Sequence, residues 1–123
     1  MAGASEGLHE DPSKLSAETI DRHRAIVSLM EELEAVDWYQ QRVDACSDPA
    51  LRDILAHNRD EEIEHAAMTL EWLRRNVPAF AAQLESNLFK DGPIVGDHGD
   101  DGQAEAPAAA PADGSLGIGS LRG

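Results

Sequence analysis

Basic residues, cysteines, aromatics and long apolar runs are all scarce in this chain, and each scarcity removes a class of function. Lysine and arginine number 10 against 24 aspartates and glutamates, a formal charge of −14. Such a surface repels phosphate, so neither nucleic acid nor an anionic membrane surface is expected as a partner. No apolar run approaches the roughly 18 residues that would cross a bilayer. Residues 1–11 lack a basic stretch followed by an apolar core, so no secretory signal is expected and the cytoplasm is the default compartment. Cys46 is the single cysteine and has no internal disulfide partner; it reads as a small residue at a helix end.

Glycine is also rare until late. Eight of the ten glycines fall between Gly92 and Gly123, in a stretch rich in Ala, Pro and Asp. A segment of that composition buries too little surface to offset its ordering entropy. The sequence therefore divides into a flexible N-terminus (1–12), a folded helical domain (13–91), an acidic linker (92–113) and a terminal peptide (114–123). A folded part of about 80 residues is small enough for its core to be marginal.

What is present is helix. Residues 17–45 contain neither Gly nor Pro, and Ile26, Leu29, Met30, Leu33, Val36 and Val43 follow three- and four-residue steps. Ser13 or Ser16 can cap this helix, with Glu18 and Asp21 suiting its positive end. Asp48-Pro49 pairs an N-cap with a proline at the first helical position, opening a second helix that runs to about Asn76. A shorter third helix is expected from Ala79 to about Phe89. The short link makes the two long helices antiparallel neighbours, each on the order of 42 Å long. Two such helices leave an apolar seam open. The fold read from these residues is all-α, a two-helix hairpin plus a short third helix, completed as a four-helix bundle by a second copy.

The chemistry lies in Met30-Glu31-Glu32-Leu33-Glu34 and Asp60-Glu61-Glu62-Ile63-Glu64-His65. At about 100° per residue, Glu32 lies about 60° from Leu29, at the stripe's edge, with Tyr39 two turns along; Glu31 and Glu34 point away. On the second helix Glu62 lies about 20° from Leu55, Thr69 about 40°, His65 about 80° and Trp72 about 100°, all to one side. Glu62 and His65 thus occupy the inward stripe, with Trp72 closing it as a core residue. Glu64 faces outward with His57, and Glu61 is intermediate. Covering a carboxylate and an imidazole without partners costs several kcal/mol, so something must compensate them.

A metal is one answer. Glu-x-x-His puts a carboxylate and an imidazole on adjacent turns, and carboxylate-rich two-iron bundles use two such motifs plus a Glu from each of two further helices. One chain supplies half of that set, and two chains related by a two-fold axis supply all of it. Carboxylate and imidazole without thiolate suit iron or manganese. The other answer is a polar network of Glu62 and His65 with Arg59, Arg24 or His23 that sets dimer register in a non-enzymatic scaffold or adaptor. A manganese or peroxide-reacting two-metal protein is a third reading. His57, Glu61 and Glu64 form a candidate outer metal site or a solvated face, and Glu31 with Glu34 a cation funnel or a solvated face.

The run from Arg22-His23-Arg24-Ala25-Ile26-Val27-Ser28 through Ala35-Val36-Asp37-Trp38-Tyr39 resembles the encapsulated ferritins of bacteria. So does the run from Leu55-Ala56-His57-Asn58-Arg59 through Met68-Thr69-Leu70-Glu71-Trp72-Leu73. The likeness extends over nearly all of residues 9–95. It implies a ferritin-like fold and a ferroxidase that oxidises Fe(II) with dioxygen at a two-iron site between two chains, with Glu32, Glu62 and His65 as ligands and Tyr39 beside them. It further implies that Glu31 and Glu34 handle incoming metal, that His57, Glu61 and Glu64 form an outer site, and that dimers assemble into a ring-shaped decamer. After the acidic linker, Leu116, Ile118 and Leu121 restore apolar character among glycines. An extended backbone could offer alternate side chains to one groove. This end resembles the cargo-loading peptides that dock inside encapsulin shells, and it implies that the shell stores the iron mineral.

Overall fold

The computed structural model describes residues 7–96. After a 3-10 turn at Pro12–Lys14 come α1 (Ala17–Ala45), α2 (Pro49–Asn76) and α3 (Pro78–Asn87), and there is no strand among the described residues. The expected linker, the terminal peptide and its Leu116, Ile118 and Leu121 lie outside the described residues.

Each helix begins where its capping chemistry dictates. The Ser16 hydroxyl accepts from the Thr19 N–H at 3.0 Å, which satisfies one of the free amides that every helix start exposes. Just upstream, Asp11 accepts from both the N–H and the hydroxyl of Ser13, and these bonds hold its carboxyl below the ordinary range. Asp48 caps α2 through the Leu51 N–H at 2.9 Å. Arg52 closes the link from the other side, donating through Nε and Nη2 to the Cys46 carbonyl at 3.1 and 2.8 Å. A cation here also suits the negative end of α1. Asp48→Ala should lower stability by about 1 kcal/mol. Urea unfolding at fixed chain concentration reads this, and an unchanged midpoint would show that the Asp48 bond contributes nothing.

The pairing of α1 with α2 is antiparallel, as the three-residue link requires. Its register is marked by Arg52 on Cys46, by the Arg59 Nη1–H donating to Gln40 Oε1 at 2.8 Å, and by the Thr69 hydroxyl donating to Glu32 Oε1 at 3.0 Å. On α2 the inner line runs Leu55, Arg59, Glu62, Ala66, Thr69, Leu73, alternating four- and three-residue steps. Ala66 and Leu73 are buried and the other four half-buried. On α1 the matching half-buried line is Ala25, Leu29, Glu32, Val36, Tyr39 and Val43.

Two expectations change at this point. Leu33 is 54 % exposed and Trp72 39 % exposed, so neither is core within one chain. The reason is geometric. The bonds crossing the pair start from Glu32 and Gln40, so the seam is turned toward the Glu32 line and Leu33 is left at its edge. Two helices touch along one line only, and Trp72 lies beyond it. Trp38 at 51 %, Met68 at 57 %, Leu51 and Ile54 are exposed as well. Burying a large apolar side chain fully is worth about 1.5–3 kcal/mol. The uncovered set therefore represents several kcal/mol, comparable to the whole stability of a small domain.

Among the described residues, a second unit begins at Val77. Its helix starts at Pro78, one residue earlier than expected, because proline is favoured at a first helical position. It stops at Asn87, two residues short of the expected end at Phe89. Leu88 has left helical geometry and Phe89 has φ 58°, a backbone region that ends a helix.

Candidate metal centre

Glu62 and His65 project from adjacent turns of α2. His65 Nδ1 lies 3.5 Å from Glu62 Oε1, with the side chains 43 % and 27 % exposed respectively. The distance is long for a hydrogen bond, so the two form a loose ion pair when the imidazole is protonated. With Nδ1 turned to Glu62, the ring's Nε2 has no partner among the described residues. The sequence leads to the expectation of a buried pair, but one chain leaves it half-open, since only α1 covers α2. Full burial of the pair requires a further surface.

Glu32 reaches this face from α1. Its Oε1 accepts from the Thr69 hydroxyl, one turn beyond His65, while Oε2 carries no hydrogen bond among the described residues. The carboxylate is thereby held against the turn that bears the imidazole. Tyr39 stands on the same line of α1, half-buried, with the Arg42 guanidinium 5.2 Å from its ring centroid. That stacking fixes the ring and leaves the phenol free of hydrogen bonds among the described residues.

The cations that could have neutralised Glu62 are engaged elsewhere. Arg59 donates to Gln40 and pairs with Asp60 at 3.0 Å, and Arg24 pairs with Asp21 at 2.6 Å. Among the described residues neither arginine nor His23 makes an ion pair with Glu62 or His65. The register network weighed above is therefore not formed within the chain. Nor do three His, Cys, Asp or Glu side chains converge to hold a metal ion anywhere among the described residues. One chain brings two carboxylates and one imidazole to one face, spread along it.

The outer candidates are only partly assembled. His57 Nε2 lies 3.3 Å from Glu61 Oε2 on the exposed side of α2, but Glu64 does not join them. Glu31 is exposed as expected, whereas Glu34 is half-buried, sharing adjacent helix turns with Met30 and Trp38. Glu71 is committed elsewhere. Arg74 and Arg75 donate to its carboxylate at 2.7 and 2.6 Å, and these bonds lower its pKa to about 2. A folded-state value below the unfolded one stabilises at pH above the ordinary carboxylate range. That contribution is lost as pH falls from that range toward about 2. A carboxyl NMR titration should find the Glu71 midpoint near 2, and Arg74→Ala with Arg75→Ala should return it to the ordinary range. A wild-type midpoint already in that range would refute the clamp.

Periodicity did not reveal two of the residues that position this face. The Thr69 hydroxyl and the Arg59–Gln40 bond depend on how far α1 is displaced along α2, which a single-helix wheel does not contain. The usable signal was that Thr69 shares the stripe of Glu62 and His65.

The EncFtn-like family profile matches residues 7–91. An encapsulated ferritin-like protein of Rhodospirillum rubrum is 59 % identical over 130 aligned positions, covering 100 % of this chain and 93 % of the relative. The encapsulin nanocompartment cargo protein EncC of Myxococcus xanthus is 33 % identical over 104 positions, 78 % of this chain and 80 % of that protein. The crystal structure of protein ne0167 from Nitrosomonas europaea superposes with a TM-score of 0.70 at 61 % identity, covering 73 % of this chain and 99 % of that one.

Proposed function

The chain belongs to the EncFtn-like family, that of encapsulated ferritin-like proteins, and on that premise we propose that it is a ferroxidase whose two-iron site forms between two copies. Glu32, Glu62 and His65 of each copy are the ligands, so a two-fold pair offers four carboxylates and two imidazoles to two iron ions. Fe(II) is the substrate. Several anionic ligands favour Fe(III) over Fe(II), and two ions held together deliver two electrons to dioxygen at once. Tyr39, whose phenol makes no hydrogen bond among the described residues, is available to donate one beside the ligands. Glu31 and Glu34 attract incoming cations, and His57 with Glu61 and Glu64 is a weaker outer position. A homo-oligomer built from such dimers, a ring-shaped decamer by family resemblance, covers the exposed Leu33, Trp38, Met68 and Trp72.

The observation that carries this reading is a carboxylate–imidazole pair with no cationic partner among the described residues, joined by Glu32 from α1, on a face that one chain leaves half-open. The similarity to a relative named as an encapsulin cargo supports the second half of the proposal. The chain works inside an encapsulin compartment in the bacterial cytoplasm. Residues 114–123 dock on the shell protein through Leu116, Ile118 and Leu121, and residues 92–113 serve as the tether. No helix among the described residues is long and apolar enough to cross a membrane.

An oxygen electrode tests the activity. Adding Fe(II) to the purified chain should consume dioxygen well above the rate in buffer, and substituting Mn(II) should not. Consumption no faster than in buffer would remove the ferroxidase reading and leave the scaffold or the manganese or peroxide-reacting protein.

A further inference from the structure

Thr69 has one hydroxyl proton and two acceptors within reach. Its Oγ1 lies 3.0 Å from Glu32 Oε1 on α1 and 3.1 Å from the His65 carbonyl on its own helix, one turn back. Only one bond can be made at a time. A carboxylate is the stronger acceptor, because a charge-assisted bond is roughly twice as strong as a neutral one. The carbonyl bond is the common fallback of a threonine within a helix. Rotation of the hydroxyl about the Cβ–Oγ1 bond therefore moves the proton from one acceptor to the other, and neither position strands a half-buried donor.

Resting on the ferroxidase reading above, we propose that Thr69 is the positioning residue for Glu32. The hydroxyl holds the carboxylate over the His65 turn before iron arrives, with Oε2 left free to take the ion. Oε1 keeps the Thr69 bond while Oε2 takes the ion, so the ordering carries over into the bound state. A glutamate side chain free in solution would lose up to about 2 kcal/mol of rotamer freedom on being ordered, and Thr69 removes much of that loss in advance. This role belongs to the hydroxyl and not to the γ-methyl. The threonine touches Glu32 rather than the iron.

The prediction is a weaker Fe(II) site with an unchanged reaction. Thr69→Val keeps the shape and removes the proton; Thr69→Ser keeps the proton and removes the methyl. Anaerobic Fe(II) titration of the purified full chain by calorimetry should give on the order of tenfold weaker binding for Thr69→Val, tenfold corresponding to about 1.4 kcal/mol. Thr69→Ser should bind as the wild type does. Aerobically, Thr69→Val should raise KM for Fe(II) and leave kcat within about twofold. Helical content and oligomer mass are checked for each variant, and Thr69→Ala replaces Thr69→Val should the valine disturb either. Wild-type affinity in Thr69→Val, or a loss in Thr69→Ser as large as in Thr69→Val, would overturn the role of the hydroxyl. Glu32→Ala distinguishes the two levels. If it binds Fe(II) like the wild type, the ligand assignment falls and this proposal with it. If it fails to bind while Thr69→Val binds normally, only the positioning role falls.

Discussion

Replacing both Glu62 and His65 by alanine should lower Fe(II)-dependent oxygen consumption by at least about 100-fold, more than the 10- to 100-fold typical of losing a group that merely supports a metal ligand. The variant leaves each chain with Glu32 alone, so a pair of copies offers two carboxylates where four carboxylates and two imidazoles stood. The loss should not come from unfolding. Glu62 and His65 are paired only with each other among the described residues, both are part-exposed, and alanine is the best helix former. Circular dichroism and oligomer mass should therefore match the wild type. Single replacement of Glu32 should also cut activity sharply, because it removes the carboxylate that α1 brings to the His65 turn. Full oxidation by the double variant would show that iron reacts elsewhere.

Deleting residues 114–123 should abolish capture by an encapsulin shell on co-expression and leave Fe(II) oxidation unchanged. The two results separate because the proposed docking residues Leu116, Ile118 and Leu121 are at least 20 residues beyond Val95 in the sequence, past a stretch rich in Ala, Pro and Asp. A linker of that composition is expected to transmit little to the helices. Replacing only Leu116, Ile118 and Leu121 by serine should reproduce the deletion, since apolar side chains offered to a groove supply the specificity. Capture of the deleted chain at wild-type levels would assign docking to another surface.

The helices themselves were legible from local chemistry. Ser16 and Asp48 mark starts, and both make the capping bonds their residue type allows. The stretch from Ala17 to Ala45 has no breaker and is one helix, and Pro49 opens the next. The Glu62–His65 pair was equally visible, since Glu-x-x-His puts two side chains on adjacent turns whatever the tertiary setting. What escaped was whatever depends on a second surface. Leu33 and Trp72 were expected in the core because a helical wheel shows which face is apolar, not how much of it a single neighbour covers. Thr69 was placed on the stripe, yet its bond to Glu32 follows from the offset of the two helices. The end of α3, expected near Phe89, falls at Asn87, because the positive φ of Phe89 is a property of the turn that residue type alone does not display.

The proposed second copy across the Glu32–Glu62–His65 face would cover the exposed apolar edge and complete the proposed ligand set together. Electrostatics gives that pairing a condition. With 24 acidic against 10 basic residues, two copies repel, and cations bound between them relieve the repulsion. Iron loading and association should therefore favour one another. Native mass spectrometry of the purified chain, with and without anaerobic Fe(II), reads both at once. Iron should appear only on dimers and their multiples, two ions per pair of chains, with monomers carrying none and declining as Fe(II) is added. Monomers that bind two irons as tightly as the assemblies do would contradict the two-chain site.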